Sequence, residues 1–399
     1  MRCFAVLSLL VAAIWCAATE SVVWPLEELK GTAPVVAEAP EYSSAEHPGV
    51  RGIFFDGMPW NGRPTRVFAY LGIPETQSEK LPAVILVHGG GGSAFRWWVE
   101  RWMKRGYVAL ALDTTGGVPK DFGDVDQASA SVRHPQGGPD SRRIFVDAGK
   151  PTSEQWPFHA VCAIIRANTL LRQLPQVDPD KIGVIGISWG AVMSEVAASL
   201  DNRFGFAIFV YGNGFLAESS SWAKNDFPKL SPENAVRWSS AWDPSRYLEK
   251  VNMPVLFCNG ATDRHFHPDA WHRTAALVKP ELRTLCCRPA MGHSHPAGDV
   301  PEVTAFADSI TRGAPALPTI HAVSADTISI SSARPLRRAE LVYTTDSGEW
   351  PERKWRTMPA VIDGPKASAA IPADATAWYF TVINTDGRMV SSELQQRKM

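Results

Sequence analysis

The chain has 399 residues, 45% of them hydrophobic, so it is long enough to bury a large core and to form more than one domain. Its 40 basic and 41 acidic residues almost cancel. This balance argues against a basic surface that would bind nucleic acid or an anionic membrane, and we expect no nucleic-acid partner.

Residues 1–18 have the layout of a secretory signal peptide, with an early arginine, an apolar run from Phe4 to Trp15, and then small residues. The run is too short to span a bilayer, and no later segment has the length and composition of a transmembrane helix. The pattern predicts a secreted or periplasmic protein, with lipidation at Cys16 as the alternative. Residues 19–48 are rich in Pro, Ala and Glu, which predicts a leader that either wraps the next domain or stays loose.

Short apolar segments alternate with helical patterns from residue 49 to residue 313. Strands are predicted at 52–55, 67–71, 83–87, 108–112, 182–187, 206–210, 255–259 and 282–287. Most are continuous apolar runs, which is typical of strands buried on both faces of a parallel sheet. The alternation predicts a doubly wound, mostly parallel α/β sheet in residues 49–313.

The intervening helices carry recognisable boundaries. One is predicted to begin with Ser93 as its cap and to end at Gly106, and another runs from Pro301 to Gly313. A third lies within residues 153–174. Two long polar loops, 116–143 and 214–245, are predicted to form a lid or rim of a functional site.

The pattern changes after Gly313. A linker at 313–320 is followed by short alternating segments separated by turn signals, including an Asp386-Gly387 hairpin. Residues 314–399 are therefore predicted to form a small all-β, sandwich-like domain, of which the immunoglobulin fold is one form.

Ser188 lies in a five-residue Gly-x-Ser-x-Gly pattern, Gly186 to Gly190. An apolar strand precedes it and small, helix-forming residues follow it. This is the strand–turn–helix context of a nucleophile elbow, in which small glycines allow a sharp turn that exposes the serine hydroxyl. The pattern predicts Ser188 as a nucleophile.

A serine nucleophile needs a histidine base and an acid that orients it. In α/β sheets that carry a nucleophile elbow, the chain order is Ser, acid, His. Asp263 follows the strand at 255–259 and His293 follows the next strand, so both are predicted at carboxyl ends of strands, where such sheets place their sites. Asp269 and His295 are the alternatives for the acid and the base.

A tetrahedral oxyanion needs preorganised N–H donors. His88 is followed by four glycines, Gly89 to Gly92, whose backbone is able to approach such an oxygen closely. We expect Gly90 or Gly91 to supply one donor and Trp189 the second, with His88 bracing the loop. A phosphate-binding loop would need a Gly-Lys-Ser/Thr ending, which is absent here.

Three residues are predicted to contact substrate: Asn213 after a strand near the site, His265 beside Asp263, and Trp97 after the glycine loop. His265, His267 and His272 lack the spacing that places two ligands side by side on a helix, so we expect no metal. The proposed chemistry needs no cofactor. Four later cysteines are predicted to be buried thiols, namely Cys162, Cys258, Cys286 and Cys287. The alternative is a disulfide bridge from Cys258 to Cys286 or Cys287, which requires their strands to be neighbours.

Several segments together resemble the α/β-hydrolases known as acetyl xylan esterases and cephalosporin-C deacetylases, and more distantly dienelactone hydrolases and the prolyl oligopeptidase catalytic domain. The segments are HGGGG, RGYVALALDTTG, VDPDKIGVIGISWG, DNRFGFAIFVYGNGF and MGHSHP, and the resemblance covers about 52–313. It departs at Ala191, where a glycine is usual, and at Asn213, where a cysteine or another small residue is expected. The C-terminal β domain is not part of it.

The resemblance implies Ser188, Asp263 and His293 as the triad. It also implies a secreted serine carboxylester hydrolase that removes acyl groups, in particular acetyl groups, from carbohydrate esters or other small esters. The alternatives are a prolyl-oligopeptidase-like serine peptidase and a non-catalytic binding protein on the same scaffold.

Overall fold

The computed structural model describes residues 22–75, 79–120, 131–294, 300–324 and 326–397. The predicted signal peptide, residues 1–18, lies outside the described residues, as does His295.

A nine-stranded sheet forms the centre of the molecule, in the order β1-β2-β3-β5-β4-β8-β9-β10-β11, and β6 and β7 form a separate hairpin. The strands are β1 (Val36–Glu38), β2 (Val50–Asp56), β3 (Arg66–Gly72), β4 (Leu81–Val87), β5 (Val108–Leu112), β6 (Gly117–Pro119), β7 (Ser131–Arg133), β8 (Val177–Ile187), β9 (Phe206–Val210), β10 (Val255–Gly260) and β11 (Arg283–Arg288). From β5 to β11 all neighbours run parallel, whereas β1, β2 and β3 pair antiparallel. The parallel strands β5, β9 and β10 are buried throughout, as their apolar runs predict.

Helices connect these strands, and most of them bury apolar residues in the core. They are α1 (Leu26–Gly31), α2 (Arg96–Lys104), α3 (Trp156–Arg172), α4 (Trp189–Leu200), α5 (Ser221–Asn225), α6 (Pro232–Trp242), α7 (Pro268–Ala275) and α8 (Pro301–Arg312). Helix α8 ends as predicted, because Gly313 adopts the left-handed conformation with φ of 67°. The prediction that Ser93 caps α2 is wrong: Phe95 precedes the helix in an extended conformation and no side chain caps it.

The segment before β2 packs against helix α3 and adds to the edge of the sheet. Helix α1 buries Leu29 completely, and β1 adds an antiparallel edge strand to β2. The guanidinium of Arg166 on α3 donates to Glu28 of α1 at 2.5 Å and to Asp56 of β2 at 2.6 Å. This part of the predicted leader therefore wraps the sheet.

A second, antiparallel sheet follows α8 and is nearly closed into a barrel. Its strands are β12 (Thr319–Val323), β13 (Thr327–Ser331), β14 (Leu336–Thr344), β15 (Arg356–Asp363), β16 (Lys366–Ser368), β17 (Ala377–Asn384), β18 (Met389–Ser391) and β19 (Gln395–Gln396). The Asp386-Gly387 turn joins β17 and β18, with Gly387 at φ of 75°. The predicted fold class, a parallel α/β sheet with a C-terminal β domain, is confirmed.

The two sheets meet at β11 and β18. The backbone amide of Cys287 donates to Ser391 Oγ at 2.9 Å, and Arg283 pairs with Glu393. The carboxylate of Glu302 on α8 is fully buried and accepts from the Met389 amide at 2.7 Å. The β domain is thus joined to the last strand of the central sheet.

The described cysteines are buried free thiols. Cys258 of β10 lies in register with Cys286 of β11, so the strands are neighbours as the bridge hypothesis required, but no disulfide joins the two sulfurs. Among the described helices, none combines the length and the apolar content needed to cross a bilayer.

Candidate active site

Ser188 occupies a sharp turn between β8 and α4. Its φ of 56° lies in the region that non-glycine residues rarely adopt. A Cβ added at Gly190 would lie 2.3 Å from the backbone oxygens of Val87 and His88, so only glycine lets α4 approach β4 this closely. The turn holds the Ser188 hydroxyl at the carboxyl edge of the sheet, as the elbow pattern predicts.

Two side chains from later loops reach Ser188 in series. His293 Nε2 lies 3.0 Å from Ser188 Oγ, and His293 Nδ1 lies 2.7 Å from Asp263 Oδ2. Because a carboxylate only accepts hydrogen bonds, this contact assigns the proton to Nδ1 and leaves the Nε2 lone pair facing the hydroxyl. The structure therefore brings together the three residues predicted from the chain order.

Asp263 is held rigidly. Its side chain is fully buried, and Oδ1 accepts from the backbone amides of His265 at 2.7 Å and Phe266 at 2.9 Å. The rival acid Asp269 lies in the first turn of α7, where it accepts from Ser219 Oγ at 2.8 Å. Of the two candidate acids, Asp263 is the one hydrogen-bonded to His293.

The glycine loop after β4 faces the same point. His88 is buried, its Nδ1 donates to the Gly89 carbonyl at 2.7 Å, and its Nε2 accepts from the Thr114 amide at 3.0 Å. Burial lowers the pKa of His88 to about 4, which keeps the ring neutral and able to accept. Ser141 Oγ donates to the Gly90 carbonyl at 3.0 Å. His88 thus braces the loop.

Tyr211 and His265 pack against His293. The sequence analysis did not name Tyr211, and it named His265 only as a substrate contact. Tyr211, at φ of 61°, packs its ring 4.3 Å from the His293 ring and donates its hydroxyl to the Gly292 carbonyl. Burial raises the pKa of Tyr211, so the hydroxyl keeps its proton. The only signal in the sequence is that Tyr211 directly follows a predicted strand next to the elbow strand.

His265 also lies next to the base. Its ring centroid is 4.9 Å from that of His293, its Nδ1 is 3.0 Å from Ser221 Oγ, and it stacks on Trp222 at 5.5 Å. Burial, with the neighbouring His293 as a smaller cause, lowers the pKa of His265.

A cavity of about 470 Å³ opens above Ser188. Its walls are formed by residues of the glycine loop, the two polar loops and the histidine loops, namely Gly89, Gly90, Gly91, Ser141, Arg142, Ile144, Phe145, Ile187, Ser188, Trp189, Trp222, Asp226, His265, His293 and Ser294. Both long loops therefore contribute to the rim, as their length predicts.

Two predicted substrate contacts do not line this cavity. Asn213 is fully buried, and its amide donates to the Gly214 carbonyl at 2.6 Å. Trp97 packs on α2 between Phe95 and Trp98, with the Arg101 guanidinium over its ring. Both residues lie close in sequence to loops that line the cavity, but neither residue is part of its lining.

The three histidines of the 265–272 segment do not converge. His267 contacts Ser219, and His272 contacts the backbone amide of Leu394. Within the described residues, no group of three or more His, Cys, Asp or Glu side chains is arranged to hold a metal ion.

Solved structures of low sequence identity share the fold. An acetyl xylan esterase of a Thermoanaerobacterium species is 18% identical, with 75% of this chain and 92% of that chain covered at a TM-score of 0.55. An acetyl xylan esterase of a Paenibacillus species is also 18% identical, with 71% and 94% covered at a TM-score of 0.52. At this identity the likeness concerns the fold alone.

A polyketide transferase of Aspergillus fumigatus is 31% identical over 134 residues, which cover 33% of this chain and 41% of that protein. The alignment thus spans less than half of that relative. The model of the dienelactone hydrolase family matches residues 67–285, more than half of the chain, and includes Ser188 and Asp263. The resemblance to α/β-hydrolases is confirmed, and this chain belongs to the dienelactone hydrolase family.

Proposed function

We propose that this member of the family is a serine carboxylester hydrolase in which Ser188, His293 and Asp263 form the catalytic triad. One observation carries the proposal: the unbroken hydrogen-bond series from Asp263 Oδ2 through His293 to Ser188 Oγ, at 2.7 and 3.0 Å. A serine hydroxyl is a weak nucleophile by itself, and a positioned imidazole removes this barrier.

In the first half-reaction, Ser188 Oγ attacks the ester carbonyl carbon while its proton passes to His293 Nε2. The resulting imidazolium is stabilised by Asp263. Collapse of the tetrahedral intermediate breaks the bond to the alcohol, and His293 returns the proton to the leaving oxygen. Water then attacks the acyl-enzyme with His293 again as base, which releases the acid and restores the Ser188 hydroxyl.

The negative charge of each tetrahedral intermediate requires N–H donors. The amide of Trp189 begins α4 and therefore has no partner within the helix. Gly90 and Gly91 line the same cavity as Trp189. We assign the Trp189 amide and the amide of Gly90 or Gly91 as the oxyanion hole.

We further propose acyl esters of carbohydrates, in particular acetyl esters, as substrates, and a secreted or periplasmic location. The lining of the cavity supports a sugar as the alcohol, since Trp222 offers an aromatic ring and His265 and Asp226 offer polar groups. The sequence resemblance to acetyl xylan esterases and the signal-peptide pattern support the same reading. No step of this mechanism uses a cofactor.

The test is hydrolysis of 4-nitrophenyl acetate and of acetylated xylan by the wild type and by Ser188→Ala. We expect the wild type to cleave both, and Ser188→Ala to lose several orders of magnitude in turnover while keeping its fold by circular dichroism. Retained hydrolysis in Ser188→Ala would refute the mechanism. Cleavage of the small ester alone would refute the carbohydrate assignment and direct attention to peptides, and no cleavage by the wild type would favour a binding protein.

A further inference from the structure

Trp189 is part of the lining of the cavity. Its ring lies against the glycine loop, because a Cβ added at Gly90 would come within 2.7 Å of Trp189 Cδ1. It also contacts Trp222 at 4.6 Å and Phe145 at 6.0 Å between ring centroids. The indole therefore contacts two different walls of the cavity, one that carries Trp222 and one that carries Phe145.

We place the leaving alcohol of the substrate at the wall that carries Trp222. His293 must protonate the leaving oxygen, so the alcohol has to lie beside its Nε2. His265 is 4.9 Å from His293 and stacks on Trp222 at 5.5 Å, which places these two rings on the same side.

The wall that carries Phe145 lies at the glycine loop. Ser141 is hydrogen-bonded to Gly90 at 3.0 Å, and this contact ties the segment that includes Ile144 and Phe145 to the proposed oxyanion hole. Ile144 and Phe145 are apolar and line the cavity, whereas the side that carries His265 and His293 is polar. A carbonyl whose oxygen is held by the glycine loop, and whose alcohol lies beside His293, directs its acyl substituent toward this apolar wall.

The apolar wall is backed by a second layer and has little room to move. Phe145 packs on Trp238 at 5.0 Å and on Phe227 at 5.1 Å. The indole nitrogen of Trp238 donates to the Ile144 carbonyl at 2.9 Å, and Trp238 is 1% exposed. A closely packed wall resists displacement by even one methylene.

We propose that Trp189, Ile144 and Phe145 form an acyl subsite that accepts a short acyl group and excludes longer chains. The inference rests on the proposed esterase function and deepens it, since it identifies which residues select the acyl group. Trp189 has two separate roles here: its backbone amide serves the oxyanion and its side chain bounds the acyl group.

The experiment compares 4-nitrophenyl acetate, butyrate and hexanoate, which share one leaving group and differ only in the acyl chain. We expect the wild type to prefer acetate to butyrate by at least about tenfold in kcat/KM, because each methylene in a fixed pocket changes selectivity by about 10-fold or more. Phe145→Ala opens space up to Trp238, and we expect it to lower this preference by about tenfold or more. Ile144→Ala is the second variant, in case Phe145→Ala does not fold. Trp378→Ala, in strand β17, is the matched control and should keep the wild-type ratio.

The outcomes separate this inference from the proposed function. If Ser188→Ala abolishes hydrolysis but the wild type shows no preference for acetate, the subsite is refuted and the esterase stands. The same holds if folded Phe145→Ala and Ile144→Ala both keep the wild-type ratio. If Ser188→Ala retains activity, the esterase proposal itself fails.

Discussion

The two oxygens of Asp263 accept different hydrogen bonds, and this makes Asp263→Asn a sharp test of the proposed triad. Oδ1 accepts two backbone amides, from His265 and Phe266, and Oδ2 accepts from His293 Nδ1 at 2.7 Å. An asparagine must keep its oxygen at the Oδ1 position to satisfy the two amides. Its NH₂ group then faces His293 Nδ1.

This forces the imidazole into the other tautomer. Nδ1 must accept from the asparagine, so the proton moves to Nε2, and Nε2 is no longer able to take the proton of Ser188 Oγ, 3.0 Å away. A triad with the wrong tautomer loses about 10⁴-fold in kcat, which corresponds to about 5 kcal/mol of transition-state stabilisation. The fold should persist, because the asparagine has the same shape and keeps both backbone contacts.

The assay is kcat for 4-nitrophenyl acetate, with thermal unfolding as the folding check. Asp269→Asn is the matched control, since Asp269 contacts Ser219 and not His293, and it should retain kcat within a few-fold. A loss below about tenfold in folded Asp263→Asn would refute the tautomer argument. A large loss in Asp269→Asn with a small one in Asp263→Asn would transfer the acid role to Asp269.

Two further predictions concern stability. Glu195 on α4 is fully buried, and neither of its carboxyl oxygens has a hydrogen-bond partner among the described residues. Burial, with the nearby Asp243 as a smaller cause, raises the pKa of Glu195 well above the usual value of 4.5. The folded state therefore binds a proton that the unfolded state releases, so stability falls as pH rises from 4.5 toward the folded pKa, by at most about 1.4 kcal/mol per pH unit. Urea unfolding at pH 5 and pH 8 should show Glu195→Gln gaining stability relative to the wild type at the higher pH, and a difference independent of pH would contradict this. Gly190→Ala would place its Cβ 2.3 Å from two backbone oxygens of the β4 end and should cost about 1–3 kcal/mol or prevent folding. Gly31→Ala, with nothing within 4 Å, is the control that should change the unfolding midpoint little, and equal effects of the two would refute the steric argument.

Local sequence identified the elements whose burial is uniform. The predicted strand at 108–112 coincides with β5, and the predicted strand at 206–210 coincides with β9. Strands buried on both faces must be apolar throughout, so the pattern is visible without any knowledge of their neighbours. No strand was predicted over β15, because five of its eight positions are exposed and none is buried, so it has no apolar run. The predicted linker, 313–320, took in the first two residues of β12, whose residues are mostly exposed.

The candidate site divides in a similar way. The elbow at Ser188 is a local backbone motif. Chain order and the position after a strand favoured Asp263 and His293, but they left Asp269 and His295 as alternatives. Position along the chain did not reveal which side chains line the cavity. Asn213 and Trp97 were therefore predicted as substrate contacts, whereas Ile144 and Phe145, which line the cavity, were not.

The sequence alone determined the α/β class, the strand-turn-helix around Ser188 and the order of the proposed triad. Each depends on short-range patterning or on the order of the strands along the chain. Only the tertiary structure decided that Asp263 rather than Asp269 reaches His293, that Tyr211 braces the histidine loop, and that Trp189 lies under the glycine loop. These contacts join segments far apart in the chain. Their geometry follows from how the loops pack over the sheet, which no local pattern encodes.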